Sequence, residues 1–225
     1  MAHTLEQLGM PPSRILISAS GANPALFKAG DPANAAPVFL AVGRFVAKKG
    51  PLQTIRAFAL QPRGTLWMVG DGPLLEDARR LVNDLQLQDR VSFLGVKSQD
   101  EVAALMRQVR VFVQHSLMAP DGDSEGNPVS VMEAQLSGLP VVSTRHAGIP
   151  DVVLDGTTGL LVEEGDVRGM AAAMERLMVD QGLAARFGRA GRKRVLAGFT
   201  LEHHLQDLTG FLQQQIKAPV PRRCA

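Results

Sequence analysis

The sequence is poor in the features that mark specialised classes of protein. It holds one cysteine, Cys224, in a polar tail beside Arg222 and Arg223, so no internal disulfide can form and a reducing compartment suits it. No apolar run approaches the length of a membrane span, and the N-terminus shows no signal-peptide pattern. Net charge is nearly absent: 24 Lys and Arg stand against 22 Asp and Glu, which leaves no broad electrostatic footprint for nucleic acid. Any anion must therefore be met locally. Internal repeats and low-complexity tracts are missing too. What is present is 225 residues of 45% hydrophobic content, enough for one substantial core or two small ones, and the expectation is a cytoplasmic globular protein.

Residues 1–36 read as a run-in. A short helix over Thr4 to Leu8 is followed by Pro11-Pro12, the apolar Ile15-Leu16-Ile17, a turn-rich stretch from Ser20 to Phe27 and a Gly/Pro/Ala linker up to Pro37. A domain over 37–198 follows, in which short β-rich runs alternate with helical stretches. The strand runs are Val38 to Val42, Leu66 to Val69, Val91 to Leu94, Val111 to Val113 and Val141 to Ser143; the helical stretches are Leu52 to Leu60, Leu74 to Leu87, Gln99 to Arg107, the residues after Pro128 and a short piece near Pro150. Apolar runs without polar alternation, each followed by an amphipathic segment, predict parallel strands buried on both faces with crossover helices, a doubly wound α/β domain. After Gly159-Leu160-Leu161-Val162 the pattern turns helical, with Asp166 as cap and Met170, Ala173, Met174 and Leu177 at core spacing. A last helix over 199–216, capped by Thr200, carries Leu201, Leu205, Leu208 and Leu212 as a stripe that reads as core, and 217–225 is a basic tail.

The stretch from Glu125 to Glu133 carries the most chemistry. Pro128 is pre-set for the first helical position, which leaves the N–H groups of Val129 and Ser130 free at the positive end of the helix dipole, an anion site. Gly126 supplies the turn. Glu125 before the helix and Glu133 on its second turn flank that site, and carboxylates suit hydroxyl groups rather than phosphate. An anion with many hydroxyls is a nucleotide sugar. Other informative residues cluster at predicted strand ends, where such sheets bind ligands: Gly43-Arg44, Gly70-Asp71-Gly72-Pro73, Gly95-Val96, His115-Ser116 and Thr144.

These segments together resemble the retaining GT-B glycosyltransferases of family four, the glycosyl transferases of group 1, of the exopolysaccharide and colanic-acid type. Glu125 to Glu133 is similar to the family's E-x7-E element. Gly43-Arg44 through Lys49-Gly50 resembles its G-R-x4-K-G segment, Gly70 to Pro73 its G-x-G-P turn, and the order of Gly138-Leu139-Pro140, Gly148-Ile149-Pro150-Asp151 and Asp155 to Val162 follows the same scheme. Three departures stand out: Asn127 where an aliphatic or aromatic residue is common, Ala147 for a frequent glycine and Asp151 for a frequent glutamate. The resemblance implies that Arg44 and Lys49 hold the donor diphosphate, Glu125 the sugar hydroxyls and Glu133 the ribose, that the backbone around Val96 meets the base, and that hexose transfer proceeds with retention and without a cofactor or metal. It also implies an N-terminal acceptor domain that this chain does not contain. The chain then reads as a donor-binding half with little activity of its own, whose leucine stripe would meet the missing domain, another copy or a partner protein. The expected ligands are a nucleotide sugar and a sugar or lipid-linked acceptor, with contact at a membrane surface as a weaker corollary and no nucleic acid.

The same residues bear on other chemistries. Asp121-Gly122-Asp123-Ser124-Glu125-Gly126 begins like a calcium loop, but Met132 stands at its twelfth position and Glu133 comes one residue late. Asp121-x-Asp123 imitates a metal-binding D-x-D, a motif that leaves Arg44 and Lys49 unexplained. Adjacent His203 and His204 diverge by about 100° on a helix, which favours a solvated face over a chelate. His115 and His146, at strand ends, suit either ligand contact or a structural role. A nicotinamide dehydrogenase fails because Leu75 stands where the third fingerprint glycine belongs. The remaining alternative is a catalytically silent nucleotide-sugar-binding module.

Overall fold

The computed structural model describes residues 2–217; the tail at 217–225, with Cys224, lies outside them apart from the backbone of Lys217. Six strands form one parallel sheet: β1 (Ala36–Val42), β2 (Thr65–Val69), β3 (Val91–Phe93), β4 (Val109–Val113), β5 (Val141–Thr144) and β6 (Gly159–Val162), in the order β3-β2-β1-β4-β5-β6. After a short α1 (Ala2–Gln7), the helices α2 (Pro51–Ala59), α3 (Leu75–Asp84), α4 (Gln99–Met106), α5 (Val129–Leu136) and α6 (Ile149–Val152) connect successive strands, and α7 (Val167–Val179), α8 (Gln181–Gly198) and α9 (Leu201–Lys217) follow the sheet.

Period-2 alternation sends neighbouring strand residues into opposite layers. Phe39 of β1 joins Ile55 and Phe58 of α2 and Met174 of α7, with the two phenyl rings edge-on at 5.9 Å, while Leu40 joins Met106 of α4 and Met132 and Leu136 of α5. All five residues of β4 are buried, the mark of a central strand covered on both faces. The predicted doubly wound fold is therefore observed. Strand order reverses between β1 and β4, and a crevice opens beyond their C-terminal ends.

Four expectations change. Gly159 to Val162, read as the lead-in to a helical region, is strand β6, too short and glycine-led to announce itself. Pro128 is the N-cap of α5, with extended ψ of 119°, and Val129 is the first helical residue. The leucine stripe of α9 is at the surface and not in the core: Leu201, Leu205, Leu208 and Leu212 are all exposed, because that face finds no layer to cover. His203 and His204 are half-buried, with Nδ1 of each bonded to Thr200 Oγ1 at 2.6 Å and Ser18 Oγ at 2.9 Å, since α9 lies along the run-in. Within that run-in, Ala22 and Phe27 are buried in the same cluster as α4, α5 and α8, and Ala22 pairs with Thr200.

Candidate functional site

Two loops bring the predicted residues together at the switch point. The first leaves β1 at Gly43, whose N–H donates to Val69 O at 3.0 Å, and Phe45 N–H donates to Asp71 O at 2.9 Å, so the segment leans on the Gly70–Pro73 turn. A single 3-10 turn, Ala47–Lys49, ends at Gly50, which is left-handed with φ 52° and caps α2. Only glycine fits there: a Cβ would collide with the His115 carbonyl oxygen, and the Lys48 carbonyl accepts from Leu117 N–H at 3.0 Å. This docking against the end of β4 turns Lys49 back over Gly43. The Lys49 ammonium lies 3.1 Å from Glu125 Oε2, with 18% and 8% of the two side chains exposed. Arg44, beside it, is exposed and has no ion pair or hydrogen bond among the described residues.

The second loop runs from β4 to α5. Its turn ends at Pro128, whose carbonyl accepts from Val131 N–H at 3.1 Å, so the N–H groups of Val129 and Ser130 precede the first helical bond and are free. Ser130 Oγ donates to Gln114 Oε1 at 3.0 Å, and Gln114 Nε2 donates to Ser116 Oγ at 2.7 Å, a buried polar chain just below the helix terminus. Gln114 also lines a cavity of about 20 Å³ with Gly43, Arg44, Lys49 and Val69.

The site's electrostatics centre on Lys49. Glu125 pairs with it directly, yet Glu125 Oε1 is buried with no partner. Glu133 is also buried, at 8% exposure, and burial pushes its carboxyl up to about 7 while the Lys49 charge opposes the rise. Near neutral pH the Glu133 carboxyl is thus poised between its two forms. Unpartnered carboxyl oxygens can accept from hydroxyls, and Arg44, Lys49 and the α5 terminus can receive an anion.

Gly126 sits in open space, with its carbonyl accepting from Gly148 N–H at 3.1 Å. Val96 is exposed at the end of β3, on the same edge of the sheet. His115 is fully buried: its Nε2 accepts from Gly165 N–H at 2.8 Å, its Nδ1 faces Met170 Sδ, and burial lowers its pKa. It is a structural residue behind the crevice. His146 is likewise buried, bonded to Glu164, Ser124 and the Glu125 amide. Asp123 is paired with Lys48 at 3.0 Å. Among the described residues no group of three or more His, Cys, Asp or Glu is placed to hold a metal ion, and no helix is long and apolar enough to cross a membrane. Sequence reasoning missed Gln114, whose signal was a polar residue closing an apolar strand, and Glu164, for which no pattern spoke.

Known proteins are similar to this chain in sequence and in fold. Over 218 residues the chain is 32% identical to the amylovoran biosynthesis glycosyltransferase AmsK of Erwinia amylovora, an alignment covering 94% of this chain and 54% of AmsK. Anabaena HepE, in a crystal structure with UDP, superposes with a TM-score of 0.83 at 22% identity over 95% of this chain and 61% of that one. The crystallised C-terminal domain of the Francisella tularensis glycosyl transferase group 1 family protein LpcC is covered in full, against 80% of this chain, with a TM-score of 0.68 at 20% identity. The chain spans about half the length of the curated relatives it matches. The family described as Glycosyl transferases group 1 matches residues 23–194, and the chain belongs to that family.

Proposed function

We propose that this chain is the donor-binding half of a glycosyltransferase that moves a hexose from a nucleoside diphosphate sugar to a hydroxyl acceptor, with retention, in polysaccharide or glycolipid biosynthesis. One observation carries the reading: Arg44, Lys49 and the open N-terminus of α5 converge beside two buried carboxyls that lack hydroxyl partners. Arg44, Lys49 and the N–H groups of Val129 and Ser130 receive the diphosphate and stabilise the charge that grows on it as the sugar departs. The incoming phosphate competes with Glu125 for Lys49, which frees the Glu125 carboxylate to accept from sugar hydroxyls. Glu133 holds the ribose, and the backbone at Val96 meets the base. No metal or cofactor is invoked, and Asp123 is engaged by Lys48. The acceptor is a sugar or lipid-linked hydroxyl held by the other half of a longer protein or by a partner, in the cytoplasm. Without that half, attack geometry and exclusion of water are missing, so the isolated chain turns over little.

Calorimetric titration with UDP-glucose and GDP-mannose tests the reading. Replacing Arg44 and Lys49 together by alanine should weaken the better-bound donor by about tenfold or more, the scale of two charge-assisted contacts. Unchanged affinity, or a strict need for Mn²⁺ or Mg²⁺, would overturn it. Glu133→Gln should weaken nucleoside diphosphate and donor alike, whereas Glu125→Gln should weaken the donor alone. Transfer restored by an acceptor half added in trans would separate the enzyme from a silent binding module.

A further inference from the structure

We propose that His146 and Glu164 are positioning residues for Glu125: this pair, a buried imidazole and a partly exposed carboxylate set at the ends of β5 and β6, pins both ends of the loop that aims the Glu125 carboxylate. The inference rests on the reading of Glu125 as the acceptor of sugar hydroxyls.

Three contacts define the pin. Glu164 Oε2 accepts from Met118 N–H at 2.8 Å, where the loop begins. Glu164 Oε1 lies 2.6 Å from His146 Nδ1. His146 Nε2 lies 3.2 Å from the Glu125 amide nitrogen and 3.1 Å from Ser124 Oγ, where the loop ends. A backbone N–H can only donate, so Nε2 must present its lone pair and the proton sits on Nδ1, donated to Glu164. The imidazole therefore passes the orientation set by a carboxylate to the backbone of Glu125 itself. With His146 only 2% exposed, its own bonds are shielded from solvent, while the Glu164 carboxylate, 38% exposed, holds Met118 nearer the surface.

The neighbouring turn is shaped to match. Gly148 N–H donates to Gly126 O at 3.1 Å, and a Cβ on Gly148 would collide with the Asn127 side chain, so 125–127 lies flat on 146–148. On the solvent side the loop is held by Lys48, whose ammonium reaches Asp123 Oδ1 at 3.0 Å and Ser124 O at 3.3 Å. That contact is more exposed and correspondingly weak. Fixing the Glu125 amide matters because its Oε1 is buried and unpartnered. A mobile loop would let that oxygen turn to water, and holding it in place keeps an acceptor ready for a sugar hydroxyl.

The test compares UDP with UDP-glucose, and GDP with GDP-mannose, by calorimetry on the whole chain, because each affinity ratio isolates the sugar. His146→Ala and Glu164→Ala should cut the ratio by about tenfold, the scale of a lost oriented hydrogen bond, and leave the free diphosphates within about twofold of wild type. His146→Gln places an oxygen where Nε2 accepts and should keep most of the ratio; His146→Asn keeps only the donor towards Glu164 and should lose it. In the Glu125→Gln background, His146→Ala should change the ratio no further. Equal loss for diphosphate and donor, or indistinguishable Gln and Asn variants, would mean ordinary packing and overturn the proposal. Amide hydrogen exchange without ligand gives a separate readout: residues 118–127 should exchange faster in His146→Ala and Glu164→Ala, and unchanged exchange overturns the pin whether or not any donor binds. Should wild type show no sugar preference for either base, the reading of Glu125 fails while exchange still decides the pin. If His146→Ala does not fold, the Gln and Asn variants carry both measurements.

Discussion

Helices α5 and α9 teach opposite lessons about an apolar pattern. In α5, Val131 to Leu136 are all buried, including the polar Glu133 and Gln135, because the helix is wedged between the sheet and α8. Gln135 answers only part of its burial, with Nε2 donating to Thr158 Oγ1 at 2.8 Å while its Oε1 is left without a partner, and Glu133 makes no side-chain hydrogen bond among the described residues. In α9 the stripe is clearer, yet Leu205 is 51% exposed, Leu212 50% and Ile216 82%. A stripe states which face gains by burial, roughly 25 cal/mol per Å² of apolar area, but a second surface must exist to supply it. Where burial is complete, the informative residue is the polar one left without a partner. Where burial is absent, the informative residues are the apolar ones, and an open groove of about 720 Å³ between α9 and Asn23-Pro24-Ala25 marks the place.

The largest test of this contrast is Met132→Ala. Met132 is fully buried, so its truncation should cost about 2–5 kcal/mol in urea unfolding, through lost transfer energy and the cavity left behind. A loss below 1 kcal/mol would mean that α5 is not packed as described.

Next comes the pH dependence of Glu133. Its carboxyl is raised to about 7 in the folded chain against 4.5 as its ordinary value. The folded state therefore binds this proton more tightly, so its contribution is present in full below 4.5 and is lost as pH rises through 7. At pH 8 the buried carboxylate should cost the free chain about 2–3 kcal/mol relative to pH 4. Glu133→Gln should remove that part of the pH slope and raise stability at pH 8 while weakening nucleotide binding. A slope identical to wild type would show that Glu133 ionises normally.

A smaller effect is expected at Ala147, which follows His146 and has φ 47°, a conformation costly for a residue with a Cβ. Ala147→Gly should stabilise by up to about 1 kcal/mol in thermal unfolding, and destabilisation would mean the turn gains from the methyl group. The smallest effect belongs to α9: Leu205→Gln should change stability by less than about 0.5 kcal/mol in the isolated chain. A cost comparable to that of Met132→Ala would collapse the contrast between the two helices.

Local chemistry made much of this legible from sequence. Apolar runs such as Val111 to Val113 suit strands covered on both faces, and the Gly-x-Pro turn before Val129 suits the opening of a helix with free N–H groups, because proline and helix geometry act locally. The family resemblance assigned Arg44, Lys49, Glu125 and Glu133 to one ligand, and only the tertiary structure shows that Lys49 meets Glu125 directly. What periodicity could not express was anything set by residues distant in the chain. Glu164 reaches Met118 and His146 across 46 and 18 positions, Gly50 owes its conformation partly to the His115 carbonyl, and Glu133 owes its raised carboxyl to burial by neighbours from several elements. Sequence alone thus determined most of the strands and helices and that α5 opens on free N–H groups, because backbone sterics and hydrogen bonding act within a few residues. Which carboxyls are desolvated, which histidine orients a loop and which leucines stay bare were decided only by tertiary packing, because burial is a property of what arrives from elsewhere in the chain.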